Sequence, residues 1–255
     1  MVFFPWLAVC LLSAPAFAFD VSGLSVPESF IVDDETGSYF ISNINGKPTM
    51  KNNSGFITKL NPDGSVVNKK FVQGGRNGVT LHAPKGLLIS GETLYVTDID
   101  HVRGFDKKNG GRKAAIDLRP FKARFLNDLA KDDSGIIYVT DMGTDRIFSI
   151  DPANGNKVSV FASGPPLASP NGICFSAVEK ELLFANWGTG KLYWLDEHGN
   201  TLEFETDKKL DSGLDGVDFD REGNLFVSTF TGGTIYRINP QGGVKQFVTE
   251  LVTPA

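Results

Sequence analysis

The sequence predicts an all-β chain folded as a β-propeller, and three observations carry that prediction. One pattern returns down the chain at a spacing of roughly forty residues. Each return is followed by short apolar or alternating runs bounded by turn residues, the mark of strands joined by hairpins. The 28 Gly and 13 Pro among 255 residues sit mostly in short turn-like clusters. Four short strands per repeat make one propeller blade.

Taken in order, the first unit opens at residues 27–33, continues with a run at 38–42 and a third at 56–60, and turns at Asn61-Pro62-Asp63-Gly64. The second opens at 84–89 and runs on through 93–97; the third opens at 127–132, with runs at 137–140, 146–150 and 157–161. The fourth opens at 170–175 with a run at 182–185, and the fifth at 214–220 with runs at 225–228 and 234–238. Equivalent positions 28, 85, 127, 171 and 215 are spaced by 57, 42, 44 and 44 residues. Pro254 falls where Pro27, Pro84 and Pro170 stand, so five units are complete and a sixth starts and is cut off at Ala255. Either the remainder lies beyond this sequence or the ring closes in another way.

Residues 1–18 stand apart from the repeat. An apolar stretch from Phe3 to Leu12 ends in Ala16-Phe17-Ala18, an A-x-A cleavage signal ahead of Phe19. A signal peptide is expected there, with the propeller at 19–255 exported to the periplasm or secreted. Cys10 leaves with the leader, so the mature chain keeps only Cys174 and has no internal disulfide. A charged fraction of 22% beside 41% hydrophobic residues excludes a disordered chain. The net charge of −5, with no Lys/Arg run longer than two, excludes an electrostatic grip on nucleic acid or, after cleavage, on a membrane surface.

In a propeller the first strand of each blade lines the central channel, so equivalent positions at its head form a ring around one mouth. Here the ring is Glu28, Lys85, Asn127, Asn171 and Asp215. The ends of the second strands, Asn43, Asp98, Asp141, Asn186 and Thr229, return to the same face. Two carboxylates in a dry channel repel unless a cation sits between them. Their hard oxygens, without any thiolate, suit Ca²⁺ better than a structural zinc. The other reading is that polar heads cap a solvated channel mouth, and residue types alone leave both open.

The chain resembles the SMP-30/gluconolactonase/LRE-like family over Pro27 to Ala255, most closely its exported bacterial branch. The resemblance rests on Asn43-Ile44-Asn45-Gly46, Ala83-Pro84-Lys85-Gly86 and Thr97-Asp98-Ile99-Asp100, and on four motifs in one repeat register. It implies a six-bladed propeller and a metal-dependent lactonase or esterase. It also implies Glu28, Asn171 and Asp215 as metal ligands, with Ca²⁺ favoured and Zn²⁺, Mg²⁺ or Mn²⁺ as alternatives. Asn127 of the Asn127-Asp128 pair corresponds to a residue that contacts substrate or, in some relatives, the metal. Lys85 occupies a ring position with no ligand role in that pattern. It either binds a substrate carboxylate or hydroxyl or balances the ring's negative charge.

For a lactone or related ester, Asp215 is expected to bind metal and also to accept the proton of the attacking water, or to act as a ligand alone. His82 and His101 fall in loops on the mouth face, as general bases or as plain surface residues, and His198 falls on the opposite face. The long polar loop 44–54 is a lid or a surface excursion. Neither a G-x-S-x-G elbow nor a phosphate-binding loop occurs in the sequence. The competing class is a non-catalytic exported binding or scaffold propeller with a structural metal. The expected small partner of the enzyme is a lactone or ester substrate, and that of the binding propeller is a partner held on its face.

Overall fold

A computed structural model describes residues 19–255, and the leader expected at 1–18 lies outside them. Blade one contains β1 (Pro27–Val32), β2 (Tyr39–Asn43), β3 (Phe56–Leu60) and β4 (Val66–Gln73); blade two contains β5 (Pro84–Ser90), β6 (Thr93–Asp98), β7 (His101–Asp106) and β8 (Arg112–Asp117). Blade three contains β9 (Leu126–Lys131), β10 (Ile137–Asp141), β11 (Arg146–Asp151) and β12 (Lys157–Ser163). Blade four contains β13 (Pro170–Phe175), β14 (Leu182–Asn186), β15 (Lys191–Leu195) and β16 (Thr201–Glu203), and blade five β17 (Leu214–Phe219), β18 (Leu225–Thr229), β19 (Thr234–Ile238) and β20 (Val244–Val248). Each set of four consecutive strands forms its own antiparallel sheet in chain order. The five repeats read from the sequence are therefore five propeller blades.

The turns on the face away from the channel mouth are made by their own acidic and amide side chains. Asp132 Oδ1 accepts the N–H groups of Ser134 and Ile136 (both 2.9 Å), and Asp220 Oδ1 accepts those of Glu222 (2.9 Å) and Asn224 (2.8 Å). Asp196 does the same for His198 (2.9 Å) and Asn200 (2.8 Å), which places His198 in an exposed turn far from the mouth. Such Asx turns replace backbone partners where the strands reverse.

Packing comes from the faces between blades. Phe40, Ile57, Leu87, Leu94 and Phe105 fill the interface of blades one and two, and Leu126, Ile137, Phe148 and Ile150 fill that of two and three. Ile147, Phe184 and Leu195 join blades three and four, and Leu183, Leu214, Val227 and Ile238 join four and five. Side chains of this kind contribute about 1.5–3 kcal/mol each when fully buried. First strands pack in succession, β1 on β5, β5 on β9, β9 on β13 and β13 on β17, and among the described residues no comparable contact joins β17 to β1. The free face of blade one instead carries Phe30 and Tyr39, with Phe19 packed edge-on against Tyr39 at 5.3 Å. A cavity of about 470 Å³ lies there, bordered by Pro27, Glu28, Phe30, Tyr39 and Pro254. No helix among the described residues is long and apolar enough to cross a membrane.

Candidate functional site

Every ring position sits in a β-bulge. Pro27 pairs with Asn43 and Phe30 with Ile41; Pro84 pairs with Asp98 and Leu87 with Val96. Leu126 pairs with Asp141 and Leu129 with Val139; Pro170 pairs with Asn186 and Ile173 with Phe184; Leu214 pairs with Thr229 and Val217 with Val227. In each case three steps on the first strand match two on the second, and the added length falls on 28–29, 85–86, 127–128, 171–172 and 215–216. A bulge bends the strand and re-aims a side chain, here five times in one register. In blades two and four the glycine after the ring position has little room. A Cβ on Gly172 would stand 2.2 Å from the Asp215 carbonyl oxygen, and one on Gly86 would stand 2.4 Å from Asp128 Oδ1. Hydroxyls of the second strands pin the bulges: Thr97 Oγ1 donates to the Asn127 carbonyl (2.6 Å), and Thr140 Oγ1 to that of Asn171 (2.7 Å).

The bulges bring Asn171 and Asp215 into contact. Asn171 Nδ2 donates to Asp215 Oδ1 (2.7 Å) and to the Leu214 carbonyl (3.2 Å). Both partners are acceptors, which fixes the amide orientation and leaves Asn171 Oδ1 as a buried oxygen without a partner, the only such side-chain atom among the described residues. Asn127, also buried, makes only a 3.2 Å contact from Nδ2 to the Met142 thioether, so its amide is available to a ligand.

Electrostatics link the ring across the channel. Burial pushes the Glu28 carboxyl well above its ordinary range; Lys85 opposes this, and Asp215 and Asp128 add to it. Burial raises Asp215 to about 6 against the Asn171 hydrogen bond. Burial likewise raises Asp128 to about 7, against N–H bonds from Ile173 and Leu129 and with added repulsion from Asp215 and Asp218. Lys85 is 1% exposed; its Nζ donates to the Ala83 carbonyl (3.1 Å) and lies 4.6 Å from the Phe125 ring centroid. Burial lowers its pKa while Glu28 and Asp98 hold it up. These contacts leave Lys85 engaged with the backbone and an aromatic ring, its charge reaching Glu28 only through space.

Asp128 is the site residue that sequence reasoning left without a role. Its Oδ2 accepts the Ile173 N–H (3.0 Å), tying blade three to blade four. Only its place beside Asn127 hinted at it.

The second-strand ends do return to the mouth face, but their side chains serve the backbone. Asn43 Oδ1 accepts the Ser25 N–H (2.9 Å), Asp98 Oδ1 those of His82 and Ala83 (both 2.9 Å), Asp141 Oδ1 that of Phe125 (2.8 Å) and Asn186 Oδ1 that of Ala168 (3.1 Å). They clasp the loop entering each first strand. The histidines are also engaged. His101 Nδ1 lies 2.7 Å from Asp100 Oδ1, and His82 Nδ1 accepts the Asn53 N–H (2.9 Å). Loop 44–54 is thereby strapped onto blade two, with Lys51 paired to Asp100 and Asn53 Oδ1 accepting the Leu81 N–H (2.7 Å).

Among the described residues no three Asp, Glu, His or Cys side chains converge at metal-ligand spacing. A cation at this ring therefore depends on the carboxamide oxygen as well as on carboxylates. The orphaned Asn171 Oδ1, the buried Asp215 carboxyl it adjoins and the half-buried Glu28 carboxyl are the hard donors such a cation needs, so the residues present fit it.

Comparison with known proteins bears on fold and family. The sequence pattern of the SMP-30/Gluconolactonase/LRE-like region matches residues 73–253, which takes in blades two to five and leaves Glu28 outside the matched stretch. No curated protein matches the chain. Among solved structures, a selenomethionine-substituted virginiamycin B lyase from Staphylococcus aureus is similar at 20% identity and TM-score 0.63, over 88% of this chain and 70% of that one. A streptogramin B lyase is similar at 16% identity and TM-score 0.66, over 91% and 72%. A nidogen/laminin complex gives 17% identity and TM-score 0.69, over 88% and 79%. At these identities the likeness is one of fold.

Proposed function

The chain belongs to the SMP-30/Gluconolactonase/LRE-like family, and on that premise we propose that it is a metal-dependent hydrolase of lactones or related esters. The observation that carries the reading is the partnerless Asn171 Oδ1 beside carboxyls whose charge burial opposes. Glu28, Asn171 and Asp215 would hold the metal, Ca²⁺ by preference for hard oxygens, with Zn²⁺, Mg²⁺ or Mn²⁺ as alternatives. When bound, such an ion polarises an ester carbonyl and acidifies water.

The chain's own groups supply the rest. Asp215 Oδ1 is held by Asn171, which leaves Oδ2 to take the proton of the attacking water. The Asn127 amide orients the ester, and the positive charge of Lys85 opposes the rise of the Glu28 pKa. The leader at 1–18 sends the propeller to the periplasm or beyond the cell. N-terminal sequencing of the exported protein should begin at Phe19.

The fold alone does not decide between catalysis and binding, since it is shared with lyases and with a nidogen/laminin complex. Proton release from aldono-, alkyl- and homoserine lactones, with and without chelator, tests the reading. Hydrolysis should stop on chelation, and Asp215→Asn should lower it by about 10²-fold or more, the scale of a lost general base. Absence of hydrolysis at every metal loading would favour a non-catalytic binding propeller.

A further inference from the structure

One register position above the polar ring carries a large apolar residue in every blade. The residue that follows each second strand is Ile44, Ile99, Met142, Trp187 and Phe230 in turn. Four of them hydrogen-bond the backbone two residues before a ring residue: Ile44 N–H to Val26 O (3.0 Å), Met142 to Phe125 (3.0 Å), Trp187 to Ser169 (3.1 Å) and Phe230 to Gly213 (2.9 Å). They form a collar one step outward from Glu28, Asn127, Asn171 and Asp215.

The collar is uneven. Ile44 and Ile99 are buried with Ala83 in a small cluster and present nothing to the channel. On the other side Met142 and Trp187 are half-buried, and Phe230 is 37% exposed. Trp187 and Phe230 meet across blades four and five with ring centroids 5.5 Å apart, at the same junction of blades as the Asn171 and Asp215 contact. Met142 Sδ touches Asn127 Nδ2 at 3.2 Å. An open apolar wall therefore borders the three polar groups of blades three to five. Nothing in a hairpin turn calls for Trp or Phe, and an exposed aromatic pair beside a polar cleft marks a binding surface.

Polar groups at this level are already committed. Thr144 Oγ1 donates to Asp141 (2.6 Å), Asp145 Oδ1 accepts the Ser169 N–H (2.7 Å), and Thr231 Oγ1 donates to the Ser212 carbonyl (3.0 Å). Those three groups are not free to satisfy the hydroxyls of a sugar lactone, each of which loses water on entering.

Resting on the lactonase reading, we propose that Met142, Trp187 and Phe230 form an apolar subsite. The substrate is then a lactone bearing an alkyl or aryl substituent rather than a polyhydroxylated aldonolactone. The ester lies over Asn127, Asn171 and Asp215, and the substituent lies against the aromatic pair.

The test measures kcat/KM for γ-lactones of increasing side-chain length and for glucono-δ-lactone. In parallel, calorimetry measures the binding of the matching γ-alkyl lactams, which do not need to react. For the wild type, kcat/KM and lactam affinity should rise by about fourfold per methylene over the first few carbons. Trp187→Ala and Phe230→Ala should each flatten the series and lose at least tenfold on long chains, with short lactones changed less than twofold. Trp187→Phe should keep most of the preference, and melting curves of all three variants should match the wild type. A flat series, a preference for glucono-δ-lactone, or an equal loss on all substrates overturns the subsite and leaves the lactonase reading standing. Lactams bound with the expected chain-length dependence, but no lactone hydrolysed, would keep the subsite and remove the activity. Neither binding nor hydrolysis overturns both.

Discussion

Replacing Asp128 by Asn should stabilise the metal-free protein at alkaline pH, although it removes a buried group that binds the backbone of the next blade. The Asp128 carboxyl is pushed from 3.8 to about 7, mainly by burial. The native state therefore holds its proton over a range where the unfolded chain has lost it. Stability falls as pH rises from 3.8 to about 7 and stays low above that. At about 1.4 kcal/mol per pH unit that interval sets a ceiling of about 4 kcal/mol. An asparagine in the same place has no charge to desolvate, and its Oδ1 can still accept the Ile173 N–H that Asp128 takes at 3.0 Å. Guanidinium unfolding of chelator-treated wild type and Asp128→Asn near pH 4.5 and pH 8.5 reads the effect. The variant should gain about 2–4 kcal/mol at the higher pH and differ little at the lower. A variant less stable at high pH, or a difference that ignores pH, would show that Asp128 is held as a stable carboxylate and refute the reasoning.

Saturating Ca²⁺ at about 100 times Kd should add about 2.7 kcal/mol if only the native state binds it. That corresponds to roughly 5–10 °C in Tm for a chain of this size. Asn171→Ala should erase the gain, and an unchanged melt of the wild type with any of the four metals would count against the site. Lys85→Met should leave KM unchanged, since Lys85 Nζ is spent on the Ala83 carbonyl and the Phe125 ring; a raised KM with unchanged stability would instead show that Lys85 touches substrate. His82 is kept neutral chiefly by burial and by Arg103 and Lys51, against Asp98 and Asp100, so its pKa lies below the ordinary histidine value. The Asn53 bond to His82 Nδ1 should be lost as pH falls through that lowered pKa, and hydrogen exchange in loop 44–54 should speed up on acidification. In His82→Gln that pH dependence should disappear. His198→Ala should change neither activity nor exchange at the mouth.

Propeller blades are legible in a sequence because each is a local meander. The alternation, the turn residues and the forty-residue return all lie within one stretch of chain, and the same logic put Glu28, Lys85, Asn127, Asn171 and Asp215 on one level. Register across strands is a property of two segments at once, so the bulge that re-aims all five could not be read from either strand. The roles of Asn43, Asp98, Asp141 and Asn186 were hidden for a similar reason. Their partners are backbone N–H groups 15 to 18 residues earlier.

By itself, then, the sequence determined the repeat, the all-β class, the family likeness and the identity of the polar ring, all of which are carried by pattern along the chain. Only the tertiary structure decided which of those groups are free to act. Asn171 turns its NH₂ to Asp215 and is left with a bare oxygen, whereas Lys85 is laid against Phe125 and Asp128 is locked beneath Ile173. Trp187 and Phe230, unremarkable as turn neighbours in the sequence, become a shared wall because they meet across two blades. Burial and the partners supplied by other blades set the protonation and orientation of each group, and both arise only when separate repeats are packed around one channel.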